Sequence, residues 1–180
     1  MLYLLFQIGH DRYALEARHA VEVVPLVELK EIPHAPRGVA GLFNYRGQPM
    51  PAVDLCALTF GRRARERFST RIIVVNLHHP AGPPRRFGLI VEHATGLMRR
   101  EVRDFVASGV QPGHAPYLGP VVMDDQGVIQ LLHTEHLLPE AVLAMFSGAK
   151  GQESCGAPAR ANAAAAGPET PHLTPGTSDA

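Results

Sequence analysis

The first residues form an apolar run, LYLLF, followed by Gln7 and Ile8, and they predict a strand over Leu2–Ile8. Gly9-His10-Asp11 is a turn, and Arg12–Leu15 runs back to complete a hairpin. Ala20–Val24 is a short apolar stretch ended by Pro25. Val39–Tyr45 and Pro49–Val53 form a second hairpin about Arg46-Gly47-Gln48. Arg71–Leu77 is rich in β-branched residues and reads as a buried strand. The Pro-Gly loop 78–84 ends it. Phe87–Val91 and Thr95–Arg99 read as two further strands. Val121–Met123 and Val128–Leu132 flank the turn Asp124-Asp125-Gln126-Gly127. Helix signals are few. Asp54 is placed to cap a short helix over Leu55–Phe60, stopped by Gly61. Thr134 is placed to cap a second, with Pro139 in its first turn and an apolar face ending at Phe146. Many short strands with Gly and Pro punctuation predict small barrels or a sandwich, not a βαβ fold.

The pattern stops at Phe146. From Ser147 to Ala180 roughly two-thirds of the residues are Ala, Gly, Pro, Ser or Thr, and Leu173 is the only large aliphatic one. Such a composition predicts a disordered tail behind a folded unit over residues 1–146, because it buries too little apolar surface to offset chain entropy. The apolar stretch at the start is too short to span a membrane, and no later run is long enough, so a cytoplasmic protein is expected. Cys56 and Cys155 form neither a CxxC pair nor a disulfide framework, which favours a reducing compartment.

Catalytic signatures are missing: there is no GxSxG, P-loop, GxGxxG or HExxH. No enzyme activity and no cofactor are expected. Ten histidines raise the question of a metal, but neither His78-His79 nor the pair His133 and His136 has the further ligands that zinc needs. Asp124–Gly127 lacks the alternating acids of a calcium loop and is better read as a turn. Cys56 sits among apolar neighbours as a small buried hydrophobe. Lys+Arg and Asp+Glu are both 17, so the basic excess common in nucleic-acid binders is missing. Even so, the run Gly61–Arg67 (GRRARER), with Arg85-Arg86 and Arg99-Arg100, leaves open a small β-barrel nucleic-acid module as an alternative.

The segment Leu42–Leu55 (LFNYRGQPMPAVDL) is distinctive. It sets Asn44, Arg46 and Gly47 at a tight bend. Gly41 and Gly47 allow close backbone approach or positive φ. Pro49 and Pro51 cannot donate ladder hydrogen bonds, which predicts an edge or an irregular strand. At such a bend, a bracing role and a partner-facing role for Arg46 are equally compatible with the sequence.

With its flanking pieces, this segment resembles the CheW-like adaptor family of bacterial chemosensory systems. The pieces are LLFQIGHDRYAL, HAVEVVPL around Glu22, IPHAP, Gly41-Leu42-Phe43-Asn44-Tyr45-Arg46-Gly47, then Pro51 with Asp54 and Leu55, RIIVVNLHH and GLIVEHATGLM, in that order. The resemblance extends over nearly all of residues 1–146. It implies a mainly β fold of two small five-stranded barrels packed together. It also implies a non-catalytic scaffold between the cytoplasmic tip of a methyl-accepting chemoreceptor and the regulatory domain of a histidine autokinase of the CheA type. Receptor contact is implied for Ala20, Glu22, Asn44, Arg46 and Gly47, and structural roles for Gly41, Pro51 and Asp54. No nucleic acid and no membrane insertion are implied, only recruitment to membrane-bound receptor arrays. Three positions depart from the family pattern: Tyr45 replaces an aliphatic residue, Glu92 an Asp, and His133 part of a Leu-Asp pair. The FNYRG variant looks most like adaptors of Wsp-type surface-sensing clusters.

Overall fold

A computed structural model describes residues 1–77, 85–109 and 115–138. Among the described residues nine strands run in chain order: β1 (Leu2–Ile8), β2 (Asp11–Glu16), β3 (Ala20–Pro25), β4 (Val39–Tyr45), β5 (Gln48–Asp54), β6 (Arg71–Leu77), β7 (Arg85–Arg99), β8 (Leu118–Asp124) and β9 (Gly127–Leu132). Among the same residues one α-helix, α1 (Leu55–Phe60), follows β5, and there are three single 3-10 turns.

The two segments expected as separate strands around Glu92 are one strand, β7, and it organises the fold. Its first half pairs with β6 and, through Gly88–Ile90, with β5; its second half pairs with β1. Between the two halves the register against β1 slips. The step of four positions on β7 from Glu92 to Gly96 matches a step of two on β1 from Gln7 to Leu5, and His93 takes a positive φ of 47°. A bulge of this kind bends a strand and re-aims it. One strand thereby serves two five-stranded sheets, β3-β6-β7-β5-β4 and β7-β1-β2-β9-β8.

The mainly β architecture with little helix matches the expectation, with one difference. Among the described residues no ladder joins β3 to β4 or β8 to β7, so neither sheet closes into a full barrel. The connection from β3 to β4 contains Pro33 and Pro36, which have no N–H to donate, and only Lys30 pairs with Leu42 across that gap. At the other seam Val106 pairs singly with Val121.

Burial follows from this layout. Ile73 and Val75 of β6 and Leu89 and Val91 of β7 enter the large core, together with Phe6, Ile8, Leu15, Leu55 and Leu132. Ile72, Val74 and Ile90 point the other way, against Phe43, Tyr45, Met50 and Ala52. β6 is therefore covered on both faces, which is why it reads as an unbroken run, IIVV, with no polar alternation. Tyr3, Ala14, Val122, Ile129 and Leu131 fill the second sheet's own core.

The Asp54 cap is as expected: its carboxylate accepts from the N–H groups of Cys56 (2.8 Å) and Ala57 (3.1 Å). Thr134 differs. It lies inside a 3-10 turn, Thr134–His136, instead of capping a helix, and His133 takes the cap position with no side-chain bond. The rest of that predicted helix, the loop 78–84 and the tail from Ser147 lie outside the described residues.

Candidate functional site

β3 and β4 are the two open edges of the first sheet. On β3 the side chains alternate: Val21, Val23 and Pro25 are exposed, while Ala20, Glu22 and Val24 lean inward. Glu22 therefore faces the seam. The β4–β5 hairpin turns through two residues, Arg46 at φ 53° and Gly47 at φ 83°. Positive φ at both central positions is the geometry that matches strand twist, and Gly47 supplies the second at no steric cost. Asn44 braces the turn, its Oδ1 accepting from the Gly47 N–H at 2.8 Å. These local constraints bring Tyr45 and Arg46 to Glu22. The Tyr45 hydroxyl donates to Glu22 Oε2 at 2.6 Å, and Arg46 Nη2 donates to the same oxygen at 2.8 Å. The Arg46 guanidinium carbon lies 5.3 Å from the Tyr45 ring centroid, within cation–π range.

The cluster is polarised between interior and solvent. Tyr45 is buried, with its ring edge-on to Phe43 at 6.3 Å. The Arg46 side chain is 73% exposed and that of Glu22 36%. The Tyr45 hydroxyl, aided by the Arg46 charge, holds the Glu22 carboxyl below its ordinary value against an opposing push from burial. The same bond raises the Tyr45 phenol. The surface thus offers a cation held in place by a neighbouring carboxylate and an aromatic ring.

Of the residues singled out in the sequence, Glu22, Asn44, Arg46 and Gly47 converge here. Ala20 does not; it begins β3 and packs on the large core. Gly41, Pro51 and Asp54 belong to the frame. Gly41 has φ 146°, and a Cβ there would lie 2.4 Å from the Lys30 carbonyl oxygen, so only glycine lets the Lys30–Leu42 pair form. Pro49 and Pro51 lie opposite Asn44 and Leu42, in the half of β5 that precedes its pairing with β7. Sequence reasoning noted Tyr45 only as an unusual residue and missed its contact with Glu22. A phenol next to the signature arginine, with a carboxylate on the preceding strand, was the available signal.

Two buried carboxylates, Glu92 and Asp54, tie down the basic loop Gly61–Arg67. Glu92 accepts from the N–H groups of Gly9 (3.0 Å) and Arg65 (2.7 Å) and from the Arg62 guanidinium (3.2 and 3.4 Å). Asp54 accepts from the Ala64 N–H at 2.7 Å. Arg63 pairs with Glu31 at 2.8 Å. Arg62 and Arg63 therefore serve internal pairs, and the loop is a weaker candidate for gripping phosphates than its sequence suggests. Cys56 is buried in this region, with burial and the two carboxylates pushing its thiol up to about 11. Among the described residues no three His, Cys, Asp or Glu side chains are grouped to hold a metal ion, and no helix is long and apolar enough to cross a membrane.

With this geometry in view, comparison with known proteins gives the family. The model of the CheW-like domain matches residues 2–142. The chain belongs to that family. Curated relatives include a chemotaxis protein CheW of Helicobacter pylori, 35% identical over 71 residues, which are 39% of this chain and 42% of the relative. A chemotaxis protein CheW of Treponema pallidum is 34% identical over 50 residues, 28% and 29% of the two chains. The matched stretches thus span less than half of these relatives. The crystal structure of the scaffolding protein TtCheW from Thermoanaerobacter tengcongensis superposes with a TM-score of 0.65 at 21% identity, covering 74% of this chain and 84% of that one. This likeness carries the fold: a CheW-like, mainly β arrangement.

Proposed function

We propose that the chain is a non-catalytic adaptor of a chemotaxis-type pathway, which couples a methyl-accepting chemoreceptor to a histidine autokinase at the inner face of the membrane. Family membership supports the class of protein. The observation that carries the receptor-facing role is the Glu22–Tyr45–Arg46 cluster, which joins two edge strands yet leaves a fixed cation largely in solvent. Glu22, Asn44, Arg46 and Gly47 form the receptor-facing surface, and Ala20 supports β3 from beneath. A scaffold needs separate, partly polar faces of moderate size so that complexes assemble and still respond. Signal passes because such a face binds two receptor states with different affinity; equal affinity would shift nothing. The Phe43–Gly47 variant supports a place among Wsp-type surface-sensing adaptors, for which a diguanylate cyclase is the output to look for. The small-barrel nucleic-acid reading is not favoured, because Arg62 and Arg63 are taken up by Glu92 and Glu31.

The test is co-sedimentation of the chain with membranes carrying the neighbouring-gene receptor and its kinase. The parent chain should sediment with them. Arg46→Ala should be lost from the pellet while melting within about 2 °C of the parent, since exposed ion pairs contribute little to stability. An Arg46→Ala protein that sediments like the parent removes the receptor-facing role.

A further inference from the structure

We propose that Tyr45 is a positioning residue of this site: its hydroxyl fixes the Glu22 carboxylate and its ring carries the Arg46 guanidinium, so that Arg46 presents its unused N–H groups to an acidic side chain of the receptor. The proposal rests on the adaptor reading above and concerns what makes the surface ready to bind.

Three observations carry it. First, Tyr45 is the rigid member. Its ring is buried among Phe43, Met50 and Ile72, whereas Arg46 and Glu22 are long side chains at an exposed seam. Second, both donors meet one oxygen, Glu22 Oε2. The phenol meets part of that oxygen's demand, and among the described residues Arg46 is held through Nη2 alone, which leaves Nε and Nη1 for another acceptor. A carboxylate is the acceptor that best fits a planar guanidinium edge. Third, among the described residues no ladder joins β3 to β4, so these two bonds tie Glu22 of β3 to the end of β4 across the open seam. An aliphatic side chain at position 45 would fill the same core space but leave Glu22 and Arg46 to find each other in water. Both would then lose rotamer freedom on binding, instead of having it restricted beforehand.

The full chain with Tyr45→Phe tests this, since it keeps the ring and removes only the hydroxyl. The probe is a soluble dimeric fragment of the receptor's cytoplasmic tip, and binding is measured by titration calorimetry. Tyr45→Phe should weaken binding about three- to tenfold, the scale of ordering one or two long side chains. Arg46→Ala should weaken it further, and Tyr45→Phe with Arg46→Ala should be no weaker than Arg46→Ala alone. In the isolated protein, the Glu22 carboxyl should titrate at higher pH in Tyr45→Phe than in the parent, a shift that a packing role for the ring would not produce.

Parent-like affinity of Tyr45→Phe beside a weakened Arg46→Ala overturns the proposal and leaves the adaptor reading intact. An unmoved Glu22 midpoint also overturns it. Parent-like affinity of Arg46→Ala overturns the receptor-facing site itself. If Tyr45→Phe fails to fold, Glu22→Gln weakens the same bond from the other side and must reproduce the loss; a parent-like Glu22→Gln overturns the proposal.

Discussion

Replacing Glu92 by glutamine removes one charge from the knot that joins β7, the Gly9 turn and the loop Gly61–Arg67, with almost no change of shape. The side chain is 7% exposed, and its two oxygens accept from Gly9, Arg65 and both terminal nitrogens of Arg62. All four partners are donors. A glutamine nitrogen would face an N–H group whichever way the amide turned. Burial pushes the Glu92 carboxyl up, but Arg62 and the Arg65 and Gly9 N–H groups more than reverse this and bring it from 4.5 to about 2. At about 1.4 kcal/mol per tenfold change in equilibrium, this difference is worth about 3 kcal/mol, and solvent around the part-exposed Arg62 trims it to about 2. The folded value lies below the unfolded one, so the contribution is complete above about pH 5 and fades as pH falls toward 2. Asp54, pushed up by burial, contributes the opposite slope in both proteins and largely drops out of their difference. Urea unfolding of the two proteins at a series of pH values checks this. Glu92→Gln should lose about 2 kcal/mol at pH 7, and the gap should close between about pH 5 and pH 2. A gap below about 0.5 kcal/mol at pH 7, or one that stays constant down to pH 2, refutes the reasoning.

Three further substitutions probe other joints. Gly41→Ala sets a Cβ against the Lys30 carbonyl oxygen and should cost about 2 kcal/mol or more by urea unfolding, with loss of amide-exchange protection at Lys30 and Leu42. Asp54→Ala removes the acceptor for Cys56, Ala57 and Ala64 and should cost about 2–3 kcal/mol, again by urea unfolding. Arg12 grips Asp124 through two nitrogens at 2.5 and 2.7 Å, holding that carboxyl at about 2. Asp124→Asn should cost about 1 kcal/mol at pH 7 and nothing near pH 2, followed as the melting temperature against pH.

Most of the strands were legible because their signals are local. A short apolar run ended by the Gly9-His10-Asp11 turn marks Leu2–Ile8, β-branched content marks Arg71–Leu77, and the Asp54 and Gly61 pair brackets α1 to the residue. The continuity of β7 was not legible. Glu92 and His93 look like a break because they are polar, yet Glu92 is buried by partners from two distant segments and His93 sits at the bulge. Neither fact has a local signature. The open seams were hidden for a similar reason, since whether two edges pair depends on a connection whose path the sequence does not encode in any short window. In the site, the turn residues Asn44, Arg46 and Gly47 were legible from spacing. The bond between Tyr45 and Glu22 was not, because it links residues 23 apart across an unpaired seam. The arginine run suggested a binding face only because its carboxylate partners, Glu31 and Glu92, lie outside it in sequence.

The most direct test of the adaptor assignment is autophosphorylation of the neighbouring-gene kinase, reconstituted with its receptor in membranes and with this chain either added or left out. The adaptor reading predicts that the chain alone turns over nothing, that receptor control of the kinase appears only when the chain is present, and that the folded Arg46→Ala variant fails to restore it. Receptor control that is equally strong without the chain, or fully restored by Arg46→Ala, would contradict it.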